Sequence, residues 1–199
     1  DIPELKTPKD AYLLVVRDFI DNVKHGEFIK ELESYEWDTK YWDYRRKKVL
    51  NKHARANVCY GDEHQNPDYE NKKGTIISYK QSKNVGDLKN KIESLTDDKD
   101  LIVEGNRYND VNKNGIGPHG DAERVCVACL RIGASMPMKF GMFNSTEIQG
   151  VPFEIILNGG DLYFMSEEAV GAEWRSRSKW IWRHAAGAKK YLKMKGEND

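Results

Sequence analysis

The sequence predicts an α+β chain with a β-rich second half, and three observations carry that prediction. From Leu101 onward, short apolar runs alternate with Gly, Asn, Asp and Pro turns, the pattern of an all-β sandwich or barrel about 90 residues long. Ahead of them, two stretches repeat apolar residues at helical spacing. Apolar residues make up 39% of the 199 and charged ones 32%, which supplies a core and excludes a disordered chain. With no repeat, low-complexity tract or Pro-rich linker, residues 1–199 read as one domain. Its front, 1–100, is mixed, and its core, 101–199, is β-rich.

Residues 11–20 (AYLLVVRDFI) form an apolar run of strand length. In 27–35, Phe28, Ile29, Leu32 and Tyr35 recur at helical spacing. Residues 37–48 (WDTKYWDYRRKK) interleave aromatics with cations. The simplest reading is a helix packing its rings inward; the alternative is a surface that stacks bases and holds phosphates. Residues 61–73 lack apolar periodicity and read as a long loop. Leu88, Ile92 and Leu95 mark a short helix. Residues 124–132 (RVCVACLRI) read as a buried strand, so Cys126 and Cys129 point to opposite faces and do not share a metal. We expect ordinary core cysteines there. Three Cys in all is too few for a disulfide scaffold, and a reducing, intracellular setting follows (cytoplasm or nucleus).

Thirty-two basic and 32 acidic side chains cancel, which removes the global electrostatic argument for a nucleic-acid binder and leaves a local basic face open. No run approaches the roughly 18 apolar residues of a membrane span. The first residue is Asp and no basic-then-apolar leader follows it, so no targeting segment is expected.

Chemistry concentrates at 116–121, I-G-P-H-G-D. His119 and Asp121 are two apart, and on an extended segment both point to one face. Joined by a distant third His, they make the 2-His-1-carboxylate triad that holds non-haem iron with positions left open. Asn106-Arg107-Tyr108 stands upstream; downstream come the strand 159–165 (GGDLYFM) and Arg177 and Arg183, six apart. This set, N-R-Y … I-x-x-H-x-D … G-D-L-x-x-M-S … R-x-x-x-x-x-R, resembles the AlkB-like branch of the Fe(II)- and 2-oxoglutarate-dependent dioxygenases. Residues 13–19 and the helix after them look like that family's opening elements, and 54–60 and 74–79 look like its nucleotide-lid segments.

The resemblance implies a double-stranded β-helix (jelly-roll) core flanked by N-terminal helices. It implies Fe(II) held by His119 and Asp121, and 2-oxoglutarate contacted by Asn106 and Tyr108 and gripped by Arg177 and Arg183. Arginine suits a dicarboxylate because its fork binds carboxylate in two places. The reaction implied uses O₂ and 2-oxoglutarate to hydroxylate or oxidatively demethylate a substrate, foremost a modified base in DNA or RNA presented out of the stack. No membrane partner and a monomer are expected. Hydroxylation of a protein or small molecule, and a non-catalytic jelly-roll binding module, are the alternatives.

The sequence departs from the family pattern in one respect. The family's second metal His falls soon after the Gly-Asp strand, yet 161–177 contains no His, and the one later His is His184, beside Arg183. Strand neighbours face opposite ways unless a bulge intervenes. Either His184 completes the triad and Arg177, Lys139 or Lys190 binds 2-oxoglutarate, or both arginines point inward and the metal lacks a third protein ligand. We take the first reading, since two ligands hold iron poorly. Glu123 and Arg124 are candidates to support the ligands or to pair at the surface. Residues 114–117 (NGIG) are turn chemistry leading into the metal loop.

Overall fold

The computed structural model describes residues 9–197. In chain order the elements are β1 (Leu13–Val16), α1 (Asn22–Glu33), β2 (Lys40–Asp43), β3 (Lys48–Asn51), β4 (Ala56–Gly61), β5 (Ile76–Ser78) and α2 (Lys83–Thr96). There follow β6 (Val103–Arg107), β7 (Gly115–His119), β8 (Val127–Leu130), β9 (Met136–Asn144) and β10 (Glu147–Leu157). The last are β11 (Leu162–Met165), α3 (Glu167–Val170), β12 (Trp180–Gly187) and a 3-10 turn, Lys189–Tyr191. Strand dominates and helices are few, an α+β architecture with several sheets. No helix among the described residues is long and apolar enough to cross a membrane.

The described residues fall into two compact units. One combines the residues up to Asp21 with those from Val111 onward; the other is Asn22–Asp110. This division differs from the expected boundary at 101. The first strand pairs with β11, which ties it to the C-terminal part, and β6 pairs with β4, which keeps the residues through 110 with the front.

The discontinuous unit holds two antiparallel sheets, ordered β1-β11-β8 and β10-β9-β12-β7. One face of the four-stranded sheet carries Phe143, Ile148 and Ala185, buried with Leu192 and Met194 of the C-terminal segment. Its other face carries Met138, Phe140 and Met142 of β9 and His184 of β12. Alternation along β9 and β12 thus gives the sheet an apolar side and a side on which a histidine sits among methionine and phenylalanine. At the turn into β11, Asp161 is 1% exposed. Its carboxylate accepts from the Arg17 guanidinium beyond the end of β1 and from the backbone N–H of Asp18 and Asn158. Burial pushes that carboxyl up, but the Asn158 N–H and Arg17 outweigh it and hold the group below its ordinary value.

The other unit holds the three-stranded sheet β5-β4-β6 and the two-stranded ribbon β2-β3, with β4 parallel to β5 and antiparallel to β6. Helix α2 begins earlier than its Leu spacing implies, because Glu31 of α1 caps it. The Glu31 carboxylate accepts from the Ser82 hydroxyl and from the N–H groups of Asn84 and Val85 at the start of α2. The buried stripe of α2 is Val85 and Ile92, while Leu95 lies exposed.

Two local expectations are corrected. Residues 37–48 are not a helix: β2 and β3 pair antiparallel, with Tyr41 opposite Leu50 and Trp42 opposite Val49. Such aromatic–aliphatic pairs stabilise a ribbon by a few tenths to about 1 kcal/mol each, and Asp43 closes its turn by accepting the Arg46 N–H. Residues 124–132 are not a buried strand. Only Val127–Leu130 is extended, at the edge of its sheet, and Cys126 is exposed rather than core.

Candidate metal centre

His119 is the last residue of β7 and pairs directly with His184 of β12. Directly opposed residues share a face, and the two imidazoles stand 4.5 Å apart between ring centroids. The ladder is irregular here, since Ile116 pairs with Ala186 and His119 with His184. Gly117 and Pro118 therefore oppose the single residue Ala185, which is a bulge. Proline suits it because it has no N–H to offer the ladder, and the extra residue re-aims His119.

Asp121 follows beyond the strand, so it does not reach the site through simple alternation. Its N–H donates to the Val170 carbonyl (3.0 Å), which swings the chain back toward the histidines. Gly120 makes that turn possible: a Cβ there would lie 2.0 Å from the Gly171 carbonyl oxygen. Gly171, at φ +67°, ends α3 in the left-handed region and presses equally close to the Trp182 carbonyl.

The three side chains converge. His119 Nε2 is 3.6 Å from Asp121 Oδ1, and His184 Nε2 is 3.7 Å from Asp121 Oδ2. One ligand atom from each lies within 4.8 Å of the other two. These separations exceed a hydrogen bond. Ligands about 2.0–2.2 Å from one ion sit roughly 3 Å apart, so the three side chains must draw closer together to hold one. His119 Nδ1 lies 2.9 Å from the Gly117 carbonyl and 3.0 Å from the His184 carbonyl, so it carries the proton and Nε2 turns a lone pair inward. His184 is 4% exposed. Burial and then the neighbouring His119 push its imidazole down to about 4 against the opposing pull of Asp121, which leaves it neutral at neutral pH. Neutral imidazole is the form that binds metal. Arg124 places Nη1 3.3 Å from Asp121 Oδ2.

The other expected cations of the discontinuous unit make their contacts away from the triad. Arg183 points away from His184: its guanidinium lies 4.5 Å from the Phe143 ring centroid and donates to the Ser145 and Trp174 carbonyls. Arg177 is exposed in the connection between α3 and β12. Lys139 pairs with Glu197, and the Lys190 ammonium lies over the Tyr191 ring. Among the described residues none of these four pairs with the Asp121 carboxylate; the guanidinium that reaches it is Arg124's. Asn106 and Tyr108 belong to the Asn22–Asp110 unit, where Asn106 on β6 accepts from the Arg55 Nε. Glu123 is exposed. Gly120 and Gly171 escaped the sequence reading; the glycine between the two ligands in H-G-D was the available signal.

No family model matches the chain. A search of known proteins finds a relative in Acanthamoeba polyphaga mimivirus, the uncharacterized protein R156. It is 39% identical over 191 residues, which cover 96% of this chain and 75% of the relative.

Proposed function

The chain belongs to the family of the mimivirus protein R156, and from the centre described above we propose that it is an Fe(II)- and 2-oxoglutarate-dependent dioxygenase of AlkB-like type. The observation that carries this reading is the convergence of two imidazole Nε2 atoms and one carboxylate, with His119 held as the Nδ1–H tautomer by two carbonyls. That donor set fits non-haem Fe(II), which takes two histidines and one carboxylate and keeps positions open for a co-substrate and O₂. Strand order supports a jelly-roll reading of the core. Successive strands cross between the two sheets from β7 to β8, β8 to β9, β10 to β11 and β11 to β12.

When bound, the iron with 2-oxoglutarate supplies oxidation of a C–H bond by O₂, and an N-methyl carbon so hydroxylated is lost as formaldehyde. The protein's part is to hold and orient. His119, Asp121 and His184 bind the metal, the Gly117 and His184 carbonyls fix the His119 ring, and Arg124 restrains the Asp121 carboxylate. Apolar neighbours such as Phe140, whose ring lies 6.0 Å from that of His184, keep water from the buried side. The substrate proposed is a modified nucleobase in DNA or RNA.

The test is an anaerobic titration with Fe(II) and 2-oxoglutarate, read by the visible metal-to-ligand band and, after O₂ is admitted, by succinate. Wild-type protein develops both signals, and His119→Ala and Asp121→Ala develop neither. Succinate formation that survives both substitutions, or a wild-type protein that takes up no Fe(II), sinks the proposal.

A further inference from the structure

We infer that the β2-β3 ribbon is an arm that grips the phosphate backbone of a nucleic acid. This rests on the nucleic-acid substrate proposed above and adds where the polymer is held; the arm lies wholly within the Asn22–Asp110 unit, and its binding needs no metal. Charge is the first ground. Residues 40–51 carry Lys40, Arg45, Arg46, Lys47 and Lys48 against one carboxylate, Asp43, in a chain whose net charge is zero. All five cations are exposed. Asp43 does not neutralise them through an ion pair; its Oδ1 accepts the Arg46 backbone N–H and closes the turn. An uncompensated basic tip on a neutral protein draws a polyanion, and each phosphate it neutralises releases counterions.

The second ground is aromatic. Tyr44, at the start of the turn, is 71% exposed, and Tyr41 is exposed on β2. The Lys72 ammonium, from the loop before β5, lies 5.2 Å from the Tyr44 ring centroid. Rings set among cations are the pairing that stacks bases while the backbone is held electrostatically.

Backbone conformation is the third ground. Lys47 has φ +51° and Lys72 has φ +64°, and they are the lysines at positive φ among the described residues. Glycine or asparagine occupies such positions at little conformational penalty, whereas a lysine there is strained. Lys72 lies over the Tyr44 ring, and Lys47 is in the same turn as Tyr44, three residues on. Cations thus stand at two places where glycine would fold more comfortably, and replacing them with glycine separates a binding role from a folding one.

The ribbon's form agrees with its charge. Among the described residues it pairs with no further strand, and a two-stranded ribbon fits a duplex major groove. A membrane surface fits less well, since interfacial binding needs an apolar face to insert, and Trp42, Val49 and Leu50 are half-buried rather than presented.

The experiment uses the full chain, free of metal, with a labelled single strand, a labelled duplex and vesicles rich in phosphatidylserine, between roughly 50 and 200 mM salt. Wild-type protein binds both polynucleotides more tightly than vesicles, and affinity falls as salt rises. Arg45→Ala with Arg46→Ala weakens binding at least about tenfold and flattens the log–log salt slope by about 1.5–2. Tyr44→Ala weakens single-strand binding roughly tenfold and spares the duplex. Lys47→Gly weakens binding to both while raising the thermal midpoint by a few degrees, a pairing that a structural lysine would not give. Metal uptake by each variant stays at the wild-type level, which separates this proposal from the fate of the oxygenase reading. An unchanged salt slope in the double variant, vesicle binding as tight as polynucleotide binding, or no polynucleotide binding at low salt overturns it.

Discussion

Arg183 and His184 are chain neighbours with opposite surroundings. His184 shares its face of the four-stranded sheet with His119 and Phe140, while Arg183 lies over Phe143 on the face closed by Leu192 and Met194. Strand alternation alone separates them, because the bulge beside the site falls in β7 and leaves β12 regular against β9 through Trp180–Ala186. His184→Ala is therefore expected to remove metal binding as completely as His119→Ala. Arg183→Ala should leave metal affinity within a few-fold of wild type. It should instead cost stability, since the Ser145 and Trp174 carbonyls lose their charged donor, at about 1–3 kcal/mol. Parallel metal titrations and urea melts of the two variants check both outcomes. An Arg183→Ala protein that cannot bind metal would mean that the two faces are not independent.

At the scale of elements, the site depends on how closely the turn after β7 approaches the end of α3. Gly120 and Gly171 meet backbone to backbone, and no side chain larger than hydrogen fits between them. Gly120→Ala must push the turn away from Val170, losing the hydrogen bond that returns Asp121 to the histidines. The expected result is loss of metal binding together with a stability cost of at least about 1–3 kcal/mol, the range for forced overpacking. Calorimetry and metal titration of this one variant measure both; metal affinity at the wild-type level would contradict the geometry.

The Asp161 anchor links β1 to the β10–β11 connection and makes acid stability predictable. Its folded carboxyl titrates below the ordinary value, so its contribution is fully present above an unfolded value of about 3.9 and is lost as pH falls through the lower folded value. Asp161→Asn should be less stable than wild type at neutral pH, with the gap narrowing in acid. Thermal melts across that acid range test the sign, and a gap that widens as pH falls would refute it.

For the molecule as a whole, the proposed metal couples to folding through the unit that contains the triad. A ligand that binds only the folded state at 100 times its Kd adds about 2.7 kcal/mol, and in a chain of this size each kcal/mol moves the midpoint by roughly 2–4 °C. Fe(II) under anaerobic conditions should therefore raise the thermal midpoint by roughly 5–10 °C in wild type and not at all in His119→Ala. Equal shifts in the two proteins would place the bound metal elsewhere. Two compact units also mean that two transitions can appear, in which case the shift belongs to the unit built on β7 and β12.

By itself the sequence determined what depends on local pattern. Turn residues between short apolar runs marked the strands of the second half, and apolar spacing marked α1 and the body of α2. The H-x-D pair and the lone downstream histidine were legible because only a few residue types ligate metal. Tertiary structure decided what depends on pairing across distance. Residues 37–48 became a ribbon because their cross-strand partners lie at 48–51, which no helical or strand period inside the segment reveals. Which face His184 takes was settled by its register against His119 and Phe140, and a shift of one residue would have exchanged it with Arg183. Asp121 reaches the histidines through a hydrogen bond to Val170 and a glycine contact at 171, some fifty residues away in the chain, rather than through the two-residue period of a strand. Local chemistry named the candidate ligands; long-range hydrogen bonding, which no single segment encodes, brought their donor atoms together.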